Sequence, residues 1–115
     1  MQVHYLEIVT TDVDGVCATY ARLYDVTFGP ADAALGGART APLLDGGLLG
    51  VRAPMHAAEE PVVRPYLLVD DIEAAAKAAA EAGAMIAHAP IEIPGRGKFA
   101  IFIQGGVHHG VWQTG

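Results

Sequence analysis

The pattern of apolar and polar positions predicts the same order of elements twice along the chain, at an offset of about 59 residues. Each half opens on a strand-like apolar run, at 5–9 in the first half and at 64–69 in the second. An acidic residue follows each run, Asp12 in the first half and Asp70 or Asp71 in the second, where a carboxylate can cap the first turn of a helix. A tandem duplication is the simplest explanation of this match.

Helical periodicity follows each predicted cap. Apolar residues at Val13, Val16, Tyr20 and Leu23 lie on one side of an amphipathic helix. The second helix is rich in alanine, which favours helix strongly, and Gly83 is its expected C-terminal stop. Both helices can therefore pack one face against a sheet.

Shorter extended segments follow each helix, separated by glycine and proline turn signals. Further strands are predicted at 26–32, 38–45 and 47–53 in the first half, and at 85–89, 98–104 and 107–113 in the second, with a loop at 90–97. Each half is then a βαβββ module, and the chain is one α+β domain with concave mixed sheets. Its parts are module 1 at 1–54, a polar linker at 55–61 and module 2 at 62–115.

One module alone cannot cover both faces of a four-stranded sheet. The two halves are therefore expected to pair, either within the chain or across a dimer, and a pocket is expected between them. A homodimer would also enlarge the core available to a chain of this size.

Composition narrows the possible partners. Hydrophobic residues make up 52% of the chain and charged residues 17%, so the protein can bury a sizeable core. The net charge is -6 with only seven lysines and arginines, which argues against binding to nucleic acid or to an anionic membrane surface. The chain has one cysteine, no run of about 20 apolar residues and no export signal at its start. A soluble, cytoplasmic protein is expected.

Specific residues carry a family resemblance that covers the whole chain. The segments are PYLLVDDI at 65–72, AGA at 82–84, IPGRGKFA at 93–100 and EIVTTD at 7–12. Together with the paired modules, they resemble the vicinal oxygen chelate superfamily, which includes glyoxalase I, bleomycin-resistance proteins and extradiol dioxygenases. The second half is similar to the glyoxalase-like branch. The resemblance implies the paired-module fold predicted above.

The superfamily resemblance also implies where a divalent metal would be held. Its members use His and Glu from the first and last strands of the two modules, and the matching positions here are Tyr5, Gly50, Arg64 and Gly110. Glycine has no donor atom, a guanidinium is cationic and a neutral phenol is a poor ligand. We therefore predict no metal and no other cofactor.

Within the fold that the resemblance implies, strand alternation predicts which residues line the pocket. The candidate ligand-binding residues are Tyr5, Glu7, Gly50, Arg64, Tyr66, His108, Gly110 and Trp112. Arg64 could hold an anion, Glu7 could orient it or act as a base, and His108 could exchange protons, while the two glycines are expected to open space. An alternative is that Arg64 and Glu7 form a structural ion pair. His108 and His109 are adjacent on a strand and should point to opposite faces.

Three functions remain open at this point. The first is a metal-free protein that binds a small molecule, a drug or a metabolite, as the drug-resistance branch does. The alternative is an enzyme, either a metal-dependent glyoxalase-like lyase, isomerase or dioxygenase with atypical ligands such as Glu7 and His108, or one that uses no metal. The third is a non-catalytic interaction module. The sequence does not decide whether the protein is an enzyme, because this fold serves all three functions.

Overall fold

The computed structural model describes residues 1–115 and has a mixed α+β fold with seven strands and two α-helices. The elements are β1 (Val3–Val9), α1 (Val13–Tyr24), β2 (Arg39–Pro42), β3 (Leu48–Arg52), β4 (Val62–Leu68), α2 (Ile72–Glu81), β5 (Met85–Ile93), β6 (Gly97–Gln104) and β7 (Val107–Gln113), with 3-10 helices at Ala33–Leu35 and Leu44–Gly46. The predicted fold class is confirmed. Neither α-helix is both long and apolar enough to cross a membrane.

The chain divides into two compact units. The N-terminal unit is Tyr5–Val63, and the C-terminal unit combines Arg64–Gly115 with Met1–His4. The first residues join the C-terminal unit because the Leu68 amide donates a hydrogen bond to the Gln2 carbonyl over 2.8 Å. The division therefore falls just after the predicted linker at 55–61.

In the N-terminal unit the strands are hydrogen-bonded in the order β2-β3-β1, with β1 parallel and β2 antiparallel to β3. The Asp12 carboxylate caps α1 by accepting from the Gly15 amide over 3.1 Å, as predicted. One face of α1 packs on the apolar side of these strands. The buried residues of this core are Ile8, Cys17, Phe28, Ala41, Leu49 and Val51.

The strand predicted at 26–32 is wrong. Only an isolated bridge between Asp32 and Ala38 forms there, followed by the 3-10 helix Ala33–Leu35. Pro30 has no amide to donate to a ladder, and the Asp32 carboxylate accepts from the Ala34 amide over 2.9 Å, which favours a turn. The N-terminal unit is therefore a βαββ arrangement with shorter strands than predicted.

The C-terminal unit has the predicted βαβββ order. Its strands are hydrogen-bonded in the order β4-β7-β6-β5, with β4 and β7 parallel and the other pairs antiparallel. Asp71 rather than Asp70 caps α2, accepting from the Ala74 amide over 3.1 Å. Ile72 at the start of α2 packs on Ala100 and Val111.

The loop predicted at 90–97 is largely wrong, because β5 continues through Ile93 and only 94–96 form the turn. Pro90 is tolerated inside β5 because this edge strand pairs only with β6 and its register shifts between His88 and Ile91. The edge strand of the C-terminal unit is therefore longer than predicted and ends at Ile93. That extension places His88 well inside the strand.

Candidate functional site

In the N-terminal unit, Tyr5, Glu7 and Gly50 lie on the side of the strands opposite α1. Glu7 and Gly50 are register partners, and the apolar core lies on the other face. The Tyr5 ring occupies the space where a side chain at position 50 would begin, and a Cβ there would overlap its phenol oxygen. The space that Gly50 was expected to open is therefore filled by Tyr5.

Glu7 is part of a buried charge cluster that the sequence did not reveal. Its carboxylate accepts a hydrogen bond from Arg52 Nε over 2.8 Å. The same guanidinium donates from Nη1 and Nη2 to the two oxygens of Glu59, over 2.9 and 2.7 Å. Glu59 also accepts from the Met55 amide over 2.7 Å. Arg52, the last residue of β3, thereby holds the segment that follows β3 in place through Glu59.

The hydrogen bonds from Arg52 lower the pKa of Glu59 to about 2, although partial burial opposes the shift. The hydrogen bonds to Glu59 raise the pKa of Arg52 in turn. The pKa of Glu59 is thus lower in the folded protein than its ordinary value of 4.5. The ionised carboxylate therefore stabilises the folded state above pH 4.5, and this stabilisation is lost as the pH falls towards 2.

We expect Glu59→Gln to be less stable than the parent protein at pH 7 and to approach it as the pH falls from 4.5 to 2.5, because the parent loses the Glu59 contribution in that range. Urea unfolding followed by circular dichroism at several pH values measures the effect. Glu60→Gln, at the exposed neighbouring position, is the control and should follow the parent curve. A constant difference across this range would contradict the expectation.

In the C-terminal unit the same arrangement of a tyrosine over a glycine recurs. The Tyr66 ring lies over Gly110, its register partner, and a Cβ on Gly110 would come within 2.5 Å of Tyr66 Cδ2 and 2.8 Å of the Pro65 carbonyl oxygen. Gly110, like Gly50, therefore permits the close approach of a tyrosine and does not leave an opening. Both tyrosines and both glycines are buried.

Tyr66 begins an aromatic cluster that includes Trp112. The Tyr66 ring meets Trp112 and Phe99 edge-on, with centroids 5.7 and 5.9 Å apart, and Phe99 stacks beside Trp112 at 6.0 Å. The His4 ring lies 5.6 Å from Trp112, and burial lowers the pKa of this histidine. The Trp112 indole N–H donates to the Arg96 carbonyl over 2.9 Å, which ties the 94–96 turn to β7.

Arg64 lies beside His108 on the neighbouring strand β7. Arg64 Nη2 is 3.3 Å from His108 Nδ1, and Arg64 Nη1 is 3.5 Å from the Tyr66 hydroxyl oxygen. Arg64 is buried whereas His108 is exposed. His109 points to the other face, where its ring stacks on Phe102 at 4.9 Å. The predicted opposite orientation of the two histidines is confirmed.

The side of β4, β7, β6 and β5 that faces away from α2 forms a continuous surface, which we call the open face. On this face Phe99 pairs with Trp112, Ile101 with Gly110 and Ile103 with His108. The alternate residues of the same strands point to the other face, where they pack under α2. Its side chains belong to Arg64, Tyr66, Met85, His88, Ile91, Phe99, Ile101, Ile103, His108 and Trp112.

Sequence reasoning missed four residues in these two clusters, namely Arg52, Glu59, His88 and Phe99. Alternation along β6 would have placed Phe99 with Trp112, and alternation along β3 would have placed Arg52 on the face of Gly50. Nothing local connects Glu59 to Arg52, because their contact depends on how the following segment folds back.

A shallow cavity of about 370 Å³ lies elsewhere, beside α1. Its lining includes Cys17, Phe28 and Arg39 but none of the predicted ligand-binding residues. Burial raises the pKa of the Cys17 thiol, which makes the thiolate scarce and is typical of an inert core residue.

The four positions that the resemblance assigns to a divalent metal do not fit one. Two are glycines beneath tyrosine rings, one is the guanidinium of Arg64 and the fourth is the Tyr5 phenol over Gly50. In addition, no group of three or more His, Cys, Asp or Glu side chains is arranged to hold a metal ion. The donor set that metal chemistry needs is therefore not provided by these residues.

No protein family model matches the chain, and no curated protein matches its sequence. Solved structures do match. A hypothetical protein from Bacillus halodurans C-125 aligns with a TM-score of 0.72 at 14% identity, covering 99% of this chain and 94% of that chain. Methylmalonyl-CoA epimerase from Mycobacterium tuberculosis aligns with a TM-score of 0.71 at 14% identity, covering 98% of this chain and 87% of that chain.

A variant of the Streptomyces coelicolor methylmalonyl-CoA epimerase, solved in complex with 2-nitronate-propionyl-CoA, aligns with a TM-score of 0.67 at 16% identity. The alignment covers 99% of this chain and 94% of that chain. At these identities the likeness concerns the fold. Methylmalonyl-CoA epimerase is a member of the vicinal oxygen chelate superfamily, so this chain has the fold of that superfamily, as the sequence resemblance predicted.

Proposed function

We propose that this protein binds a small, largely apolar molecule on the open face of its C-terminal unit, and that it does so without a divalent metal. The observation that carries the proposal is the apolar character of that face. Met85 and Ile91 are 61% and 48% exposed there, beside the half-buried Phe99, Ile101 and Ile103. A contiguous exposed apolar surface with few polar groups is typical of a binding site.

The polar groups of the open face favour an acidic ligand. Arg64 supplies a buried positive charge, and the exposed His108 contacts it over 3.3 Å. A carboxylate or an enolate oxygen placed beside His108 would be attracted by both side chains. Structures of the same fold are described in complex with acyl-CoA compounds, which supports a small organic ligand on this fold.

The absence of a metal is the second part of the proposal and rests on donor chemistry. Tyr5, Gly50, Arg64 and Gly110 offer no set of ligands for a divalent cation. The binding energy would then come from buried apolar area and from the Arg64 charge. The pocket predicted between the modules, the homodimer and the cytoplasmic location stay predictions within this proposal.

The test begins with metal analysis of protein purified without chelators. A library of small carboxylates is then screened by thermal shift and by the fluorescence of Trp112, the one tryptophan of the chain, with and without a chelator. We expect ligands that raise Tm equally in both conditions. Light scattering of the same sample measures the molecular mass, which should be about twice 12.0 kDa for a homodimer.

Two variants make the location testable. Ile91→Glu places a charge on the open face and should abolish stabilisation by the ligands found. Leu44→Glu changes an apolar residue that is 92% exposed in the N-terminal unit and should leave ligand binding unchanged. Stoichiometric bound metal, or stabilisation that disappears with the chelator, would overturn the metal-free proposal and favour a metal-dependent enzyme.

A further inference from the structure

Two exposed histidines of the open face present different hydrogen-bonding atoms to solvent. The first is His108, whose Nδ1 lies 3.3 Å from Arg64 Nη2. A guanidinium can only donate, so Nδ1 must accept in this contact. The neutral ring then carries its proton on Nε2. His108 therefore offers an N–H donor, and Arg64 is the positioning residue that selects this tautomer.

The second is His88 on β5, which has the opposite tautomer. Its Nδ1 lies 2.9 Å from the Ala89 carbonyl oxygen, and a carbonyl can only accept. The proton of the neutral ring is therefore on Nδ1, and Nε2 carries a lone pair. The ring is held against Phe99, with centroids 4.9 Å apart and planes tilted by 33°. His88 thus offers an acceptor at a fixed place on the sheet.

Sheet register gives the spacing of the two backbone positions that carry these histidines. His88 pairs with Ile101, which pairs with Gly110 on β7, and His108 lies two residues before Gly110. Two strand spacings of about 4.8 Å and two residues of about 3.4 Å each place the two Cα atoms about 12 Å apart. The floor between them is apolar, with Ile101 and Ile103 half-buried.

We propose that the ligand of the open face is an acid with an apolar ring and a hydroxyl or amine at the far end. The carboxylate would accept from His108 Nε2 next to the Arg64 charge, and the hydroxyl would donate to His88 Nε2. A 4-hydroxybenzoate molecule, whose outer oxygens are about 7 Å apart, is shorter than the distance of about 12 Å between the two Cα atoms and leaves room for a histidine side chain and a hydrogen bond of about 2.8 Å at each end. This inference rests on the proposed function and names its ligand class.

The test compares two acids of the same shape by titration calorimetry at pH 8. The first is 4-hydroxybenzoate, and the second is 4-methylbenzoate, which replaces the hydroxyl with a methyl group. We expect the parent protein to bind the hydroxy acid about tenfold more tightly, the effect of one hydrogen bond.

The variant His88→Phe keeps a ring against Phe99 and removes the acceptor. It should bind both acids equally, at the affinity of the parent for 4-methylbenzoate. His108→Ala should weaken binding of both acids by about tenfold or more, because both lose the same carboxylate contact. His109→Ala is the matched control, since His109 lies next to His108 but on the other face, and it should change neither affinity.

His88 and His108 are both exposed, so these variants should fold, and circular dichroism checks that they do. Equal binding of the two acids by the parent, or equal weakening of both by His88→Phe, would overturn the inference and leave the proposed function standing. The same holds if other apolar molecules bind but neither benzoate does. If no small molecule of any kind stabilises the protein, the proposed function fails as well.

Discussion

Replacing Arg52 by methionine is expected to lower the free energy of unfolding by about 3 to 5 kcal/mol, the usual cost of breaking a buried ion pair from one side. Arg52 is only 5% exposed, and it donates to Glu7 over 2.8 Å and to Glu59 over 2.7 and 2.9 Å. Methionine keeps most of the apolar stem, so the loss comes from two carboxylates left in a poorly solvated place rather than from a cavity.

Arg39→Met is the matched control. Arg39 also pairs with a carboxylate, but its distance to Asp14 is 3.4 Å and the two side chains are 35% and 93% exposed. Exposed ion pairs contribute about 0 to 1 kcal/mol, so this variant should be nearly as stable as the parent. Urea unfolding at pH 7, followed by circular dichroism, measures both variants.

A double variant tests whether the loss of stability in Arg52→Met comes from the two carboxylates that lose their partner. If uncompensated carboxylates cause the loss, combining Arg52→Met with Glu59→Gln should cost less than the sum of the two single changes. Strictly additive losses would contradict this account. A loss below about 1 kcal/mol for Arg52→Met alone would show that water reaches the cluster and that Arg52 does not fasten the segment after β3.

The sequence predicted correctly those parts of the fold that depend on interactions between residues close together in the chain. Asp12 and Asp71 cap their helices as expected, and β7 has the predicted bounds. Caps depend on a side chain and an amide three residues apart, so one short segment contains the whole interaction. The alternation along β7 likewise placed His108 and His109 on opposite faces.

The segment 26–32 was mispredicted for a physical reason. Val26 and Phe28 have the composition of a strand, but they pack into the apolar core under α1. Strand propensity reports how well a side chain fits a half-buried surface, and a core beneath a helix suits the same residues. The competing turn contacts of Asp32 then decided the backbone conformation.

For the candidate site, the sequence predicted which residues share a face of the sheet. It did not predict which other side chains they contact. The sequence placed Arg64, Tyr66 and His108 on one face, and the structure brings them together. It gave no indication of the contact between Arg52 and Glu59, because alternation orients a side chain but does not show which loop covers it. His88 was overlooked because its tautomer and its contact with Phe99 depend on the extended β5.

Both glycines stand at positions that the sequence resemblance assigns to metal ligands. In both units a tyrosine from the first strand lies over a glycine of the last strand, Tyr5 over Gly50 and Tyr66 over Gly110. At both positions the glycine allows an aromatic ring to pack closely on the strand. Under the proposed function, binding depends on the residues around these pairs, some of which are exposed on the open face.

Gly110→Ala is expected to lower the free energy of unfolding by about 3 kcal/mol, at the upper end of the cost of overpacking. The new methyl group would lie 2.5 Å from Tyr66 Cδ2 and 2.8 Å from the Pro65 carbonyl oxygen. The Tyr66 ring cannot simply rotate away, because it is buried against Phe99 and Trp112, and the carbonyl belongs to the backbone of β4. Relief of the clash requires β4 and β7 to move apart.

Gly29→Ala is the control for the effect of adding a methyl group to a glycine. The nearest atom to a Cβ at position 29 is the Thr40 carbonyl oxygen at 4.0 Å, an ordinary contact, so the change should be neutral or stabilise by up to about 1 kcal/mol. Thermal and urea unfolding, with Trp112 fluorescence as the probe next to Tyr66, compare the two variants. If Gly110→Ala proves as stable as the parent, Tyr66 can leave its place over Gly110, and the space beneath it is open to a ligand after all.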